Sequence, residues 1–289
     1  MFTRPAIVLT CLLSIQGITQ AHMNPHGDVS PGVEVENGNF SIDFITRVEG
    51  EILNWNMVFS PEGKLLLPRH RVYIKRPQQP APAEVVKVET SDEPGSSRSR
   101  FVLTRILGGQ KTEQPLPLDP VKFASVAESS STAQWTGFTW TSFGFDPFED
   151  AERANKPYAV HLMFSTAALQ GFAPGKTVLL GEPATIYDFP TASPPVWAAR
   201  RWWVAWVRQA ETAAERKDPL RRWETILTSI DPVSGKVEHK HVTGLSHWNT
   251  NVSMKTTGGW LCIAWNATID GSYPGVAKIV TAFEKLPQE

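Results

Sequence analysis

The stretch HWNTNVSMKTTGGWLCIAWN, from His247 to Asn266, decides the fold, because it reads as one unit of a repeat. Asn251 to Lys255 has strand composition, Thr256-Thr-Gly-Gly259 is a tight turn, and Trp260 to Trp265 returns as a second strand. Apolar, β-branched and aromatic residues around a Gly pair are the sequence form of a β-hairpin. The frame recurs at Asn54-x-Asn56-Met57, which matches Asn249-x-Asn251-Val252. Gly63 and Gly258 each fall nine positions after the first Asn. A looser copy is Pro194-Pro-Val-Trp197 followed by Trp202 to Arg208. Three such hairpins predict a radial repeat of four-stranded units, an all-β propeller of about five blades. A two-sheet β-sandwich is the alternative, since it would show similar short strands.

The rest of the chain fits strands better than helices. Phe40 to Ile45, Phe101 to Leu107, Gln134 to Phe143 and Tyr158 to Phe164 all have strand composition, and Trp223 to Ile230 with Lys236 to Val242 reads as an outer pair. Only Gln209 to Lys217, rich in Ala and Glu, predicts a helix. It begins an insertion running to Arg222, expected to overhang the funnel mouth. At the N-terminus, Arg4, the apolar run Ala6 to Ile18 and Thr19-Gln20-Ala21 have the layout of a secretory signal. Residues 1–21 are therefore read as a signal peptide, and residues 22–289 as one propeller domain in a secreted or periplasmic protein. The apolar run is too short to span a membrane.

Composition narrows the function classes. With 28 basic and 29 acidic residues the chain has no overall field to draw it to nucleic acid or a membrane surface. Of two cysteines, Cys11 lies in the signal, and Cys262 sits in an apolar strand where a small buried hydrophobe is expected. The chain contains no paired His/Cys zinc spacing, phosphate loop or Gly-x-Ser-x-Gly elbow. No cofactor is expected. A mature terminus on His22 would be able to chelate copper, with His26 and His70 as further ligands.

Phrases such as Pro194-Pro-Val-Trp197 with Trp206-Val-Arg208, and the turn Ile230-Asp-Pro-Val-Ser-Gly-Lys236, resemble blades of the sialidase-like β-propellers of secreted bacterial proteins. That family's aspartate box, Ser-x-Asp-x-Gly-x-Thr-Trp, is degenerate here. Ser253 and Trp260 hold their places, but Lys255 stands at the Asp position and Thr257 at the Gly position. The resemblance implies a propeller, and in its catalytic members a Tyr nucleophile, an acidic partner and an arginine cluster for a substrate carboxylate.

If each hairpin is the inner pair of its blade, the start of the first strand and the end of the second meet at one rim of the funnel. That placement gathers Asn54, Asn56, Arg69, Arg71, Trp206, Arg208, Trp248, Asn249, Asn251, Trp265 and Asn266 as ligand-binding candidates. Indole faces stack on sugar rings, while amides and guanidinium groups bind hydroxyls or a carboxylate. The expected function is a monomeric propeller binding a carbohydrate or other polar ligand. A sialidase-like hydrolase and a purely structural or protein-interaction propeller are the alternatives. For hydrolysis the candidate acids are Asp146, Glu149, Asp150, Asp188 and Asp270, with Tyr187 and Tyr273 as phenols. None of these has a motif around it, so whether the chain is an enzyme stays open.

Overall fold

The computed structural model describes residues 27–48, 51–73, 84–92, 98–116, 118, 121–122, 124–143, 160–169, 174–181, 192–210, 212, 214, 217, 223–242, 248–268 and 277–288. These form an all-β, five-bladed propeller whose blades are antiparallel meanders taken in chain order. Blade I is β1 (Gly27–Glu36), β2 (Asn39–Val48), β3 (Glu51–Phe59) and β4 (Leu65–Arg71). Blade II is β5 (Glu84–Asp92), β6 (Arg98–Leu107) and β7 (Gln110–Pro115), with β8 (Val121–Lys122) pairing the start of β6. Blade III is β9 (Ala124–Ser131), β10 (Trp135–Phe143), β11 (Val160–Ala168) and β12 (Pro174–Leu179). Blade IV is β13 (Val196–Ala198), β14 (Arg201–Gln209), β15 (Trp223–Ile230) and β16 (Val237–His241). Blade V is β17 (Trp248–Thr257), β18 (Trp260–Thr268) and β19 (Ala277–Lys285), joined to blade I where β19 runs parallel to β1 through Ala277 and Gly27.

The first strand of each blade is the inner one, because first strands of neighbouring blades touch. The Val33 amide on β1 donates to Ser253 Oγ on β17 at 3.0 Å, and the Val88 amide on β5 donates to Ser129 Oγ on β9 at 3.2 Å. The seams between blades hold the core, and they explain why several strands are apolar at every position. On β14, Trp202, Val204 and Trp206 face Leu162, Phe164 and Leu180 of blade III, while Ala205 and Val207 face Met254 and Ile263 of blade V. A strand with a neighbouring blade on each face loses polar alternation altogether. On β18 the same period of two sends Leu261, Ile263 and Trp265 towards blade IV, and Cys262 and Ala264 towards Phe40 and Ile42 of blade I. Cys262 is therefore the small buried hydrophobe expected, and burial pushes its thiol up to about 12. At the outer edge of the blades alternation gives way to exposure, as at β16.

The hairpin Trp248 to Thr268 forms as read, and its turn places both Gly258 and Gly259 at positive φ, 56° and 76°. That is the type I′ geometry a two-residue hairpin link favours. The hairpin at Asn54 needs a correction. It is β3 with β4, the outer half of blade I, whereas β13 with β14 and β17 with β18 are inner halves. Its tip carries Gly63 at a φ of +87°, where an added Cβ would lie 2.6 Å from the Phe283 ring. That ring packs on Phe40 and Phe59 at centroid distances of 6.0 and 5.3 Å, in the seam between blades V and I. Gly63→Ala meets backbone strain and an occupied seam together, so a loss of about 2–3 kcal/mol is expected in urea denaturation. Of the insertion from Gln209 to Arg222, Gln209 closes β14, Ala214 and Lys217 are helical, and most of the remainder lies outside the described residues.

Candidate functional site

Four of the five inner strands carry one residue more than their partners at nearly the same depth. In blade I, Val29 pairs with Ile45 and Gly32 with Asp43, so Ser30 and Pro31 stand against Phe44 alone. In blade III, Val126 pairs with Trp140 and Glu128 with Thr139, leaving Ala127 over. In blade IV, Val196 pairs with Trp203 while Ala192 bridges Trp206, so Ser193, Pro194 and Pro195 stand against Val204 and Ala205. In blade V, Thr250 pairs with Asn266 and Ser253 with Ala264, so Asn251 and Val252 stand against Trp265. In blade II the pairing of β5 with β6 runs without a shift.

In each case the bulge lies opposite a position three to five residues before the end of the second strand. The four bulges therefore form a partial ring, about 10–17 Å below the rim at 3.3 Å per residue. A bulge bends its strand, increases local twist and withdraws a residue from the ladder. Around this channel it turns the upper ends of four inner strands away from regular pairing. The ring is most strained at Asn251, which is half-buried and held at a φ of 53°. Among residues with a side chain, Asn is one of the few that occupy this left-handed region readily. In blade IV the Ser193 hydroxyl accepts a hydrogen bond from the Ala205 amide at 3.1 Å, and the Ser193 amide donates to the Ala205 carbonyl at 2.7 Å. That pair of bonds fixes the bulge.

Among the expected ligand-binding residues, those in blade V come closest to this ring. Asn251 lies in it, and the backbones of Trp248 and Asn249 lie above it in β17; their side chains are outside the described residues. Trp265 and Trp206 are corrected to core residues. Each is 1% exposed and packed between blades, and Trp206 Nε1 donates to Thr228 Oγ1 at 2.7 Å. Asn266 is likewise buried, at 5% exposure.

The blade I candidates stand at the right height but too far from the axis, because they belong to β3 and β4. Asn56 is buried and donates to Ser41 Oγ at 2.6 Å and Asp43 Oδ1 at 2.9 Å, which ties β3 to β2. Asn54 accepts from the Val72 amide through its backbone carbonyl at 2.9 Å. Arg69 donates to Thr46 Oγ1 at 2.9 Å and lies over the Trp55 ring, 4.2 Å from its centroid. Arg71 lies over Tyr73 at 5.0 Å.

Arg208 is engaged within its own blade. Its guanidinium pairs with Glu224, which is 4% exposed, and the other Glu224 oxygen meets His241 Nδ1 at 2.8 Å. These groups sit where β14 leaves and β15 re-enters, so the pair clasps the base of the insertion. Deeper on the same face, Thr228 Oγ1 also meets His239 Nδ1 at 2.9 Å. Burial, with Arg208 and His241 nearby, holds the His239 imidazole below its ordinary value. Glu224, His241 and the bulge residues other than Asn251 escaped the sequence reading. Pro31 and Pro194-Pro195 were a usable signal, since proline inside a strand marks an edge or a bulge. Nothing local marked Ala127.

The candidate acids Asp146, Glu149, Asp150, Asp188 and Asp270, with Tyr187, Tyr273, His22 and His26, lie outside the described residues. Among the described residues no group of three or more His, Cys, Asp or Glu could hold a metal ion, and no helix is long and apolar enough to cross a membrane.

No family model and no curated protein matches the chain. Solved structures resemble it over most of its length at low identity. A thermostable family-43 glycoside hydrolase is 11% identical over 92% of this chain and 93% of that one, with a TM-score of 0.42. The catalytic domain of the GH62 α-L-arabinofuranosidase of Coprinopsis cinerea is 8% identical over 90% and 91%, with a TM-score of 0.41. The GH43_1 enzyme of Xanthomonas citri, complexed with xylotriose, is 10% identical over 96% and 93%, with a TM-score of 0.36. The strand order bears out the propeller expected from the sialidase-like resemblance; the three similar structures are glycoside hydrolases of families 43 and 62.

Proposed function

We propose that this protein is a secreted, monomeric propeller that binds a carbohydrate or similar polar ligand at the rim end of its channel, without covalent chemistry. The observation that carries the reading is the ring of four bulges at one depth, with Asn251 held in a left-handed conformation on the inner strand. Bulges cluster at rims and beside binding sites because they re-aim side chains and release backbone groups from the ladder. Strained residues persist where their surroundings over-determine them, commonly at ligand sites. The N-terminal pattern of Arg4, an apolar run and Thr19-Gln20-Ala21 supports export.

The engagement of the arginines favours binding over sialidase-type hydrolysis. Arg208 is committed to Glu224, and Arg69 to Thr46 and Trp55. Two of the three guanidinium groups expected to clamp a substrate carboxylate thus serve the fold.

The test is a glycan array with a thermal-shift screen on wild type, Asn251→Gly and Asn251→Ala. Glycine keeps the left-handed backbone and removes only the amide, so it should leave the melting temperature nearly unchanged and abolish the ligand shift. Alanine should also cost about 1–2 kcal/mol from its Cβ at positive φ. A full ligand shift in Asn251→Gly, or no shift with any glycan, would refute the rim site. Turnover of fluorogenic glycosides, lost on changing one carboxylate, would replace the binding reading with a hydrolase.

A further inference from the structure

At the end of the channel away from the bulges, two tryptophans are left in the open. Trp135 begins β10 and is 39% exposed; Trp197 lies in β13 and is 40% exposed. Among the tryptophans whose side chains are described, no other is exposed.

Both side chains belong to one seam. On β10, Phe138 and Trp140 pack towards blade II, so Trp135 and Gly137 face the other way, towards blade IV. A Cβ on Gly137 would lie 2.9 Å from the Trp202 ring, which fixes that contact. Trp135 is two residues from Gly137 on the same face, about 7 Å along the strand. On blade IV, Trp197 pairs with Trp202, and their rings meet edge-on at 5.3 Å. The exposed indoles thus flank the buried Trp202 at the lower end of the seam between blades III and IV.

Two cations border the same end. Arg200 is exposed in the turn after Trp197, at a φ of 57°. Lys176 is exposed on β12, two residues before Val178, which packs in this seam; its stem lies 3.0 Å from where a Gly235 Cβ would be.

The area decides what can bind. A Trp side chain offers up to ~250 Å², so two indoles about two-fifths exposed present roughly 200 Å². A protein partner would need about 800 Å² on each side. A single sugar ring fits the smaller figure, and hydroxyl or carboxylate oxygens match the flanking cations. We propose that Trp135 and Trp197, with Arg200 and Lys176, form a second carbohydrate-binding site that takes sugar rings of a polysaccharide chain. It is separate from the rim and does not depend on a ligand there.

Native affinity electrophoresis tests it, using gels that contain xylan, galactomannan or mixed-linkage β-glucan as neutral probes and polygalacturonate or alginate as acidic ones. Wild type should be retarded in at least one gel. Trp135→Ala and Trp197→Ala should each weaken binding about tenfold, the effect of truncating an aromatic anchor. Trp135→Tyr and Trp197→Phe should keep most of it. Arg200→Ala should release the protein mainly from acidic gels if the ring carries a uronate, and from neutral and acidic gels equally if it reads hydroxyls. Because Trp197 leans on Trp202, Trp135→Ala alone decides the matter should Trp197→Ala fail to fold. Absence of retardation in every gel would overturn the proposal, as would a folded Trp135→Ala retarded like wild type. Retardation that survives the tryptophan changes but disappears in Asn251→Gly would move the binding to the rim and overturn the second site too.

Discussion

Trp206→Ala is expected to lower folding stability by about 3–5 kcal/mol, the range for removing a large aromatic side chain from a packed core. The indole is 1% exposed and packs with Leu162, Phe164 and Leu180 across the seam between blades III and IV. A Cβ on Gly181 would come within 3.1 Å of its ring, so backbone already presses on it and little can move in to fill the space. Urea denaturation measures the loss. Trp206→Phe should cost less, roughly 1–2 kcal/mol, because it retains a ring and forfeits the bond to Thr228. A loss below about 1 kcal/mol for alanine would contradict the seam packing and return Trp206 to the ligand-binding candidates.

Glu224→Ala should cost about 3 kcal/mol through a different cause. Removing one partner of a buried ion pair takes away a close compensating charge, and Arg208 keeps only 16% of its side chain exposed. The effect should change little with added salt, since buried pairs are weakly screened. Adding Arg208→Ala to Glu224→Ala should recover part of the loss, and the double-mutant cycle gives the coupling energy. Gln209 and Trp223 are cross-strand partners beside this pair. Their amides should exchange hydrogen faster in Glu224→Ala while those of Leu227 and Ile230 hold. Equal stability in the single and double variants would mean that Arg208 finds sufficient compensation elsewhere.

Strand composition and turn chemistry are properties of adjacent residues, and the sequence determined them. Gly258 and Gly259 supply two positive φ angles in a row, so a tight hairpin between Trp248 and Thr268 follows from local sterics. The propeller followed from the recurrence of that hairpin frame along the chain, and the apolar runs of β14 and β18 belong to strands buried on both faces. Yet Ala199-Arg200 adopts the same positive-φ pair without glycine, because the strands it joins are held by the seams on either side.

Only the tertiary structure decided which hairpin is inner and which is outer. Asn54 and Asn249 begin similar local patterns, but one lies on the third strand of its blade and the other on the first. A strand's distance from the axis depends on what packs beside it, and no hairpin encodes that in its own residues. The same reason separates the tryptophans. Trp206 and Trp265 share their local pattern with candidate sugar platforms, and the neighbouring blades bury them, while Trp135 and Trp197 reach the end of a seam and stay exposed. The bulges, too, are set by pairing between strands, so Ala127 looks ordinary in the sequence and becomes distinct only against Thr139 and Trp140. Arg208, Glu224 and His241 lie on three strands, and the sheet brings them together by register alone.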